Sequence, residues 1–194
     1  MEKDRVIQGC KLLIIGGSAG SLEVLLQLLP QLSAAPSFAI VLVLHRRNTE
    51  DNTLEELIAA KTEIPVKDVE DKTPLLPGYL YIAPSDYHLL FETDGTLSLD
   101  TDEKVNYSRP SIDVSFESAA EVYGSSLVGI LLSGANADGT EGLLAIKNAG
   151  GAIAVQRPET AQMPFMPNNA IANTAPHYVL DINGILQLIS SINT

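Results

Sequence analysis

Three short runs of apolar residues constrain the fold more than any other feature of this sequence. Residues 12–15, 38–44 and 127–132 are almost wholly apolar, and glycine, proline or polar residues bound them. Runs of this length without polar alternation are typical of strands buried on both faces, as in parallel sheets. Segments with helical spacing follow the runs, which implies crossover connections between parallel strands.

The remaining segments continue this alternation. Asp94-Gly95 lies between two apolar-rich stretches, which predicts an antiparallel hairpin over 88–99. A turn is expected near Asn168. Further strands are predicted at 66–69, 79–82, 152–155 and 178–180, and helices at 22–29, 53–61, 111–123, 139–148 and 182–192. We therefore expect one α/β domain over residues 1–194, a doubly wound and mostly parallel sheet with helices on both faces and an antiparallel β-hairpin excursion.

Charge and composition exclude several classes of function. The chain carries 24 acidic and 12 basic residues, a net charge of −12, whereas phosphate-backbone binding needs a concentrated basic face. No apolar run is long enough to cross a bilayer, so we expect no membrane insertion and a cytoplasmic protein. Cys10 is the single cysteine, and no group of residues has metal-ligand spacing. These observations predict no nucleic-acid partner, no metal and no cofactor.

Three polar residues of different chemistry follow the predicted buried strands. Ser18 comes after the first, His45 directly follows the second, and Asp138 follows the third. Because ligands and catalytic groups gather beyond the carboxyl ends of such strands, these side chains are expected to meet at one edge of the sheet. A hydroxyl, an imidazole and a carboxylate are the parts of an acyl-transfer triad. Asp138 alone would also suit the N-cap of the next helix.

The glycine-rich turn around Ser18 permits two interpretations. Gly16-x-Ser18-x-Gly20 fits a nucleophile elbow, and the helix after it supplies N–H groups suited to an oxyanion. The chain order of the three residues differs from that of α/β-hydrolases, which disfavours that fold. Such a turn also binds phosphates in other proteins, but the dinucleotide and P-loop fingerprints are both missing. His88 and His177 are weaker candidates because neither is close to a glycine-rich turn.

Sequence blocks along nearly the whole chain carry a family resemblance. They include Gly16-Gly17-Ser18-Ala19-Gly20, Leu44-His45, Tyr81-Ile82-Ala83-Pro84, Arg109-Pro110-Ser111-Ile112-Asp113, Ala137-Asp138-Gly139-Thr140 and Met166-Pro167. With these blocks in this order, the chain resembles the catalytic domain of chemotaxis protein-glutamate methylesterases. The resemblance implies hydrolysis of γ-glutamyl methyl esters on methylated chemoreceptors, with methanol released, no cofactor needed and receptor glutamine as a second substrate. It places the catalytic serine, histidine and aspartate on Ser18, His45 and Asp138.

The resemblance also indicates where substrate would bind, and where this chain departs from the family. The residues expected to bind substrate or the oxyanion are Ala19, Ala135, Asn136, Arg46 and Met166. Asn136 stands where the family usually has glycine, and asparagine tolerates positive φ better than most residues. Ala135 would still offer its backbone N–H. Arg46 and Arg47 would form a positive lip toward an acidic receptor, and two solvated arginines are an equal alternative.

Regulation and the retention of activity form a last group of expectations. Family members commonly carry an N-terminal receiver domain, whereas the first strand here begins close to Met1. We therefore expect an unregulated stand-alone protein or a receiver-domain partner acting in trans. Ala135, Asn136 and Phe165, which replaces another usual glycine, favour the alternative of a catalytically impaired scaffold in a signalling complex. The complete serine, histidine and aspartate set opposes that alternative.

Overall fold

Seven strands form the central sheet in the computed structural model, which describes residues 7–47 and 51–193. These strands are β1 Leu12–Gly17, β2 Ala39–Leu44, β3 Val66–Lys67, β4 Leu80–Ile82, β7 Leu127–Leu131, β8 Ala152–Gln156 and β9 Tyr178–Leu180, with β5 His88–Phe91 and β6 Leu97–Asp100 between them in the chain. The sheet order is β3-β4-β2-β1-β7-β8-β9, with every pair parallel. β5 and β6 form a separate antiparallel hairpin.

Helices cover both faces of this sheet. They are α1 Ser21–Leu28, α2 Thr53–Ala59, α3 Ile112–Tyr123, α4 Thr140–Asn148, α5 Phe165–Thr174 and α6 Ile182–Ser191. Successive side chains of β1 point to opposite faces, so Leu13 and Ile15 pack with α1, α2 and α6. Leu12 and Ile14 pack with α3, α4, α5 and the hairpin. The predicted α/β fold, with its parallel sheet and antiparallel excursion, is confirmed.

The chain order of the strands reverses beside β1. β2 and β4 lie on one side of β1, whereas β7, β8 and β9 lie on the other. In open α/β sheets such a reversal opens a crevice beyond the carboxyl ends of the strands, because the connections leave in opposite directions. The residues that follow β1, β2 and β7 therefore face one another across this crevice.

One predicted element is wrong. The turn expected near Asn168 is part of helix α5, which runs from Phe165 to Thr174. Pro167 lies in the first turn of this helix, where a missing N–H removes no intrahelical bond. The buried side of α5 is carried by Met166 and Ala170. Its apolar periodicity is weak, so packing on the sheet, rather than sequence pattern, stabilises the helix.

Within the described residues, none of the helices has the length and apolar character needed to span a membrane.

A close approach of α3 to α4 sets the geometry near the carboxyl ends. Gly142 lies in the first turn of α4, and a Cβ built there would lie 2.5 Å from the Cβ of Phe116 and 3.1 Å from the Cα of Asp113. The two helix N-termini therefore meet with no room for a methyl group. This contact brings Asp113 next to the residues that open α4.

Replacing Gly142 by alanine tests this packing. In an exposed helix, alanine stabilises relative to glycine by roughly 0.8–1 kcal/mol. Here we expect Gly142→Ala to lower the free energy of unfolding by about 1–3 kcal/mol, because the added methyl group has to push α3 away from α4. Urea denaturation measures this difference. The control is Glu141→Ala at the exposed neighbouring position, which should change stability by less than about 0.5 kcal/mol. A stabilised Gly142→Ala variant would contradict the packing.

Candidate active site

Ser18 lies in a tight strand-to-helix turn. β1 ends at Gly17, and the Ser18 N–H donates to the carbonyl of Ser133 at 2.9 Å. The Ser21 hydroxyl donates back to the Ser18 carbonyl at 2.5 Å. Gly20 precedes α1 with φ +84°, and a Cβ there would lie 2.7 Å from Ser133 Oγ, so the turn requires glycine at this position. Ser18 is thereby held at the carboxyl end of β1, half-buried.

His45 lies beside Ser18 because their strands are neighbours in register. Gly17, the last residue of β1, pairs with Leu44, the last residue of β2. Ser18 and His45 are therefore each the first residue beyond their strand. The His45 N–H also donates to the Gly17 carbonyl at 3.1 Å. Ser18 and His45 line one cleft of about 390 Å³. In this conformation the structure records no hydrogen bond between the Ser18 hydroxyl and the His45 ring, both of which lie in the described part of the chain.

Asp138 is fully buried and accepts hydrogen bonds from several directions. His45 Nε2 lies 2.6 Å from its Oδ2, which also accepts from the Ile112 N–H at 2.7 Å. Its Oδ1 accepts from the Asp113 N–H and from the Ser111 hydroxyl, each at 3.0 Å. The Ile112 and Asp113 amides are free donors of the first turn of α3, where the helix dipole favours negative charge. The carboxylate of Asp138 thus lies against the N-terminus of α3.

These donors keep Asp138 ionised in the interior. Burial by itself would raise the pKa of Asp138. The hydrogen bond from His45 and the N–H groups of Asp113 and Ile112 outweigh this effect and hold the pKa below its ordinary value. The positive charge that His45 carries when protonated lowers the pKa further. Asp138 is therefore a permanent negative charge next to the imidazole at neutral pH.

The surroundings of His45 assign its tautomer. An ionised carboxylate only accepts hydrogen bonds, so the His45 Nε2 facing Asp138 carries the proton. Asn136 Oδ1 accepts from the Asp138 N–H at 3.0 Å, which leaves its Nδ2 as the atom 3.5 Å from His45 Nδ1. An amide nitrogen only donates, so Nδ1 of the neutral ring is an acceptor. Both contacts leave Nδ1 as the basic nitrogen.

Asn136 acts through its side chain rather than through an unusual backbone. The expectation that its backbone tolerates positive φ does not apply, because Asn136 is not among the described residues with positive φ. Its side chain closes a local turn onto Asp138 and reaches the imidazole. The sequence comparison with glycine at this position gave no indication of this contact.

The residues expected to bind substrate occupy different places. Ala19 directly follows Ser18 and Ala135 lies in the loop after β7, and both are exposed. Neither backbone N–H has an acceptor among the described residues, so both remain available as donors. Met166 does not lie in the cleft. Its side chain is buried against Gly134, and its N–H donates to the Gly134 carbonyl at 3.0 Å. In this conformation Met166 supports the loop that carries Ala135, and its contact with substrate stays a prediction.

Arg46 and Arg47 differ in their surroundings. Arg46 lines the cleft, but its guanidinium forms a two-pronged ion pair with Glu55 and its side chain is only 10% exposed. This pairing compensates the charge of Arg46. Of the two arginines, Arg47 is the exposed cation at the cleft. Of the positive lip expected from both arginines, only Arg47 remains as an exposed charge at the cleft.

Asp113 is a second buried carboxylate that the sequence analysis did not single out. Its Oδ1 accepts from the N–H groups of Gly142 at 2.7 Å and Gly139 at 2.9 Å, at the start of α4. Burial raises the pKa of Asp113 to about 6, and the charge of Asp138 contributes to the increase, against the lowering effect of the two glycine amides. A lone aspartate in the first turn of a helix is a common capping residue, so the sequence carried no signal for this arrangement.

The other two histidines have structural contacts. His88 is buried, donates from Nε2 to the Glu103 carbonyl at 2.8 Å, and accepts the Ser111 N–H at Nδ1. His177 Nδ1 accepts the Ile153 N–H at 3.0 Å. A second cavity of about 320 Å³ lies near the start of β2 and the end of α6, and no titratable side chain lines it. Residues 7–47 and 51–193 contain no cluster of three or more His, Cys, Asp or Glu side chains placed to hold a metal ion.

Comparison with known proteins assigns the family. The model of the CheB methylesterase family matches residues 13–189. This chain belongs to the CheB methylesterase family. The crystal structure of the Thermotoga maritima CheB methylesterase catalytic domain is similar to it with a TM-score of 0.88 and 32% sequence identity, covering 93% of this chain and 97% of that one.

Relatives of two lengths share this CheB domain. A Leptospira interrogans protein, provisionally named a protein-glutamate methylesterase/protein-glutamine glutaminase, is 42% identical over 91% of each chain. The Thermotoga maritima protein-glutamate methylesterase/protein-glutamine glutaminase is 35% identical over 88% of this chain and 50% of its own length. The chain thus spans about nine tenths of the first relative and half of the second.

The raised pKa of Asp113 predicts a pH dependence of stability. The folded protein takes up a proton at Asp113 near pH 6, whereas the unfolded chain takes it up near the ordinary value of 3.8. Because the folded state binds the additional proton, this residue adds stability as the pH falls through 6. From about pH 7.5 to pH 5, the unfolding free energy should increase by about 1 kcal/mol more in the native protein than in Asp113→Asn. Urea denaturation at both pH values measures the difference, and equal changes in the two proteins would contradict the prediction.

Proposed function

We propose that this chain hydrolyses γ-glutamyl methyl esters of methylated chemoreceptors, with Ser18 as nucleophile, His45 as general base and Asp138 as the residue that orients the base. The single observation that carries this proposal is the 2.6 Å contact of Asp138 with His45 Nε2. It leaves Nδ1 as the basic nitrogen of His45, a residue that lines the same cleft as Ser18. Membership of the CheB methylesterase family supports the ester as the bond that is cleaved.

The first half-reaction forms an acyl-enzyme. Ser18 Oγ attacks the ester carbonyl carbon while His45 Nδ1 takes the hydroxyl proton. The N–H groups of Ala19 and Ala135 stabilise the oxyanion of the tetrahedral intermediate. When the intermediate collapses, the methoxide leaving group takes the proton from Nδ1 and departs as methanol. Asp138 stabilises the imidazolium throughout and stays ionised.

The second half-reaction releases the glutamate. Water attacks the acyl carbon, and His45 Nδ1 accepts a proton from it. Collapse of the second intermediate breaks the bond to Ser18 Oγ, which recovers its proton from the imidazolium. The same sequence with ammonia as leaving group would deamidate receptor glutamine. In the serine proteases the acid contacts Nδ1 and Nε2 is the base, so the two nitrogens exchange roles here.

The shape of the cleft suits an uncharged ester. Leu22, Leu44, Leu54 and Leu57 form an apolar wall beside Ser18 and His45. Such a wall accommodates the aliphatic part of a glutamyl methyl ester, whereas burial disfavours the charged carboxylate product. The cleft therefore favours binding of the ester and release of the product.

The partners of the reaction belong to this proposal as well. An exposed Arg47 at the cleft would attract the acidic surface of a receptor signalling helix. Control by a receiver domain from another chain stays a prediction. The alternative of an impaired scaffold is disfavoured by the contact of Asp138 with His45, because a chain without activity has no need to hold an ionised acid on the imidazole.

Methanol release from a methylated receptor signalling domain tests the proposed function. Ser18→Ala removes the nucleophile, and we expect the rate to fall at least about a thousand-fold, to the background of the receptor alone. Ser33→Ala is the matched control, since Ser33 is exposed and lines the cavity at the start of β2, and its rate should equal that of the native protein. Methanol release that persists in Ser18→Ala would contradict the assignment of the nucleophile.

A further inference from the structure

Two buried carboxylates cap each other's helices beside the imidazole. Asp138 precedes α4 and accepts the first free N–H groups of α3, from Ile112 and Asp113. Asp113 lies in the first turn of α3 and accepts N–H groups at the start of α4, from Gly139 and Gly142. Asp138 is 0% exposed and Asp113 is 5% exposed. Two like charges so close together in the interior repel each other, and a donor between them offsets this repulsion by stabilising both.

The side-chain amide of Asn106 is that donor. Its Nδ2 lies 2.9 Å from Oδ2 of Asp113 and 3.1 Å from Oδ1 of Asp138. An amide nitrogen carries two hydrogens, so each carboxylate receives one of them. Hydrogen bonds to charged groups are stronger than neutral ones, and they favour the ionised form of both acids.

The loop that carries Asn106 is built as a strained turn. Val105 and Ser108 exchange backbone hydrogen bonds of 3.1 and 2.9 Å, and the two residues between them have positive φ, +51° at Asn106 and +62° at Tyr107. Asparagine adopts this conformation readily, whereas tyrosine does not. The Tyr107 side chain is 98% exposed, so burial of its ring does not compensate the strain.

Arg109 closes the base of this loop. Its Nη1 donates to the carbonyls of Thr101 and Asp102 at 3.0 and 3.1 Å. Its Nε donates to Asp86 at 3.1 Å. Strained turns persist where the surrounding structure fixes them, and they cluster at functional sites. Here the fixed turn places the side-chain amide of Asn106 between the carboxylates of Asp113 and Asp138.

We propose that Asn106 is a positioning residue for the reaction, whose amide holds Asp113 and Asp138 together so that Asp138 remains the ionised partner of His45. This inference rests on the proposed function for its link to catalysis. Asn106 acts through Asp138 and takes no part in bond making or breaking. The sequence alone gives no indication of it, since Asn106 lies in a loop outside every helix and strand.

The charges around Asp113 and Asp138 decide which of the two carboxylates takes up a proton first. The charged groups that act on this pair are His45 from the β2 side and Glu117 on the same helix as Asp113, and Glu117 in turn interacts with Glu141 on α4. With the amide in place, the pKa of Asp113 is raised to about 6 and that of Asp138 is lowered, so the pair's first proton binds to Asp113. Without the amide, both acids lose a donor, and their pKa values rise. A proton then reaches Asp138 at higher pH and removes an acceptor from the imidazole.

Asn106→Gly and Asn106→Asp separate this role from a structural one. Glycine keeps the positive φ and removes the amide, whereas aspartate keeps the shape and replaces two donors by a third negative charge. We expect kcat for methanol release to fall about ten-fold or more in Asn106→Gly with little change in KM. The acid limb of the pH profile should move up by about one unit. Asn106→Asp should show a larger loss and a larger shift. A purely structural role predicts the opposite order, because aspartate preserves the shape.

The control is Lys72→Gly, at another exposed residue with positive φ (+68°), which should leave the pH profile unchanged. The carboxyl pKa values of Asp113 and Asp138 are measured in the same proteins, without substrate, by carbon NMR titration. Higher carboxyl pKa values in the two Asn106 variants support the proposal, even if the native protein releases no methanol and the proposed function fails. Unchanged carboxyl pKa values in Asn106→Gly overturn the proposal. A pH profile of methanol release in Asn106→Gly that equals the profile of the native protein also overturns it. If Asn106→Gly does not fold, Asn106→Asp decides on the same two readouts.

Discussion

The contact between the Asp138 carboxylate and the N-terminus of α3 supports the rest of the site. An isolated charge in the interior is strongly unfavourable, but this one accepts two helix N–H groups, the Ser111 hydroxyl and the His45 ring. It thereby joins three elements that are distant in the chain, the end of β2, the start of α3 and the loop before α4. Removing the carboxylate would leave helix donors without acceptors as well as the imidazole without its partner.

In the proposed mechanism, this contact sets the direction of proton transfer. Because Asp138 stays ionised, it accepts from Nε2 and leaves Nδ1 as the base, on the side of the ring near Asn136. Ser18 reaches the same cleft from the neighbouring strand. The geometry distinguishes the two nitrogens of His45 without reference to any relative. Their catalytic roles belong to the proposed function, and family membership supports the identity of the bond to be cleaved.

Sequence reasoning predicted the parts of this arrangement that depend on strand ends. Buried apolar runs located β1, β2 and β7, and the rule of carboxyl ends brought Ser18, His45 and Asp138 to one edge. Sequence reasoning failed for α5, where it predicted a turn near Asn168, because the apolar periodicity of this helix is weak. Met166 was expected to contact substrate, but it lies buried beneath the loop.

Two residues near the imidazole were not predicted from the sequence. Asp113 resembles any helix-capping acid, and its pairing with Asp138 arises only when α3 and α4 pack through Gly142. Asn106 lies in an irregular loop, and its position depends on a turn whose strain is visible only in φ. Both depend on tertiary contacts between segments about 25–32 residues apart.

Nitrogen NMR of the His45 ring in the native protein tests the central claim most directly. A His45→Gln variant, whose spectrum lacks these signals, identifies them against those of His88 and His177. The account predicts that the neutral ring carries its proton on Nε2 and is unprotonated on Nδ1, and that Asp138→Asn weakens this preference. A neutral ring protonated on Nδ1 in the native protein would contradict the account, because Asp138 would then not be the ionised acceptor that orients the base.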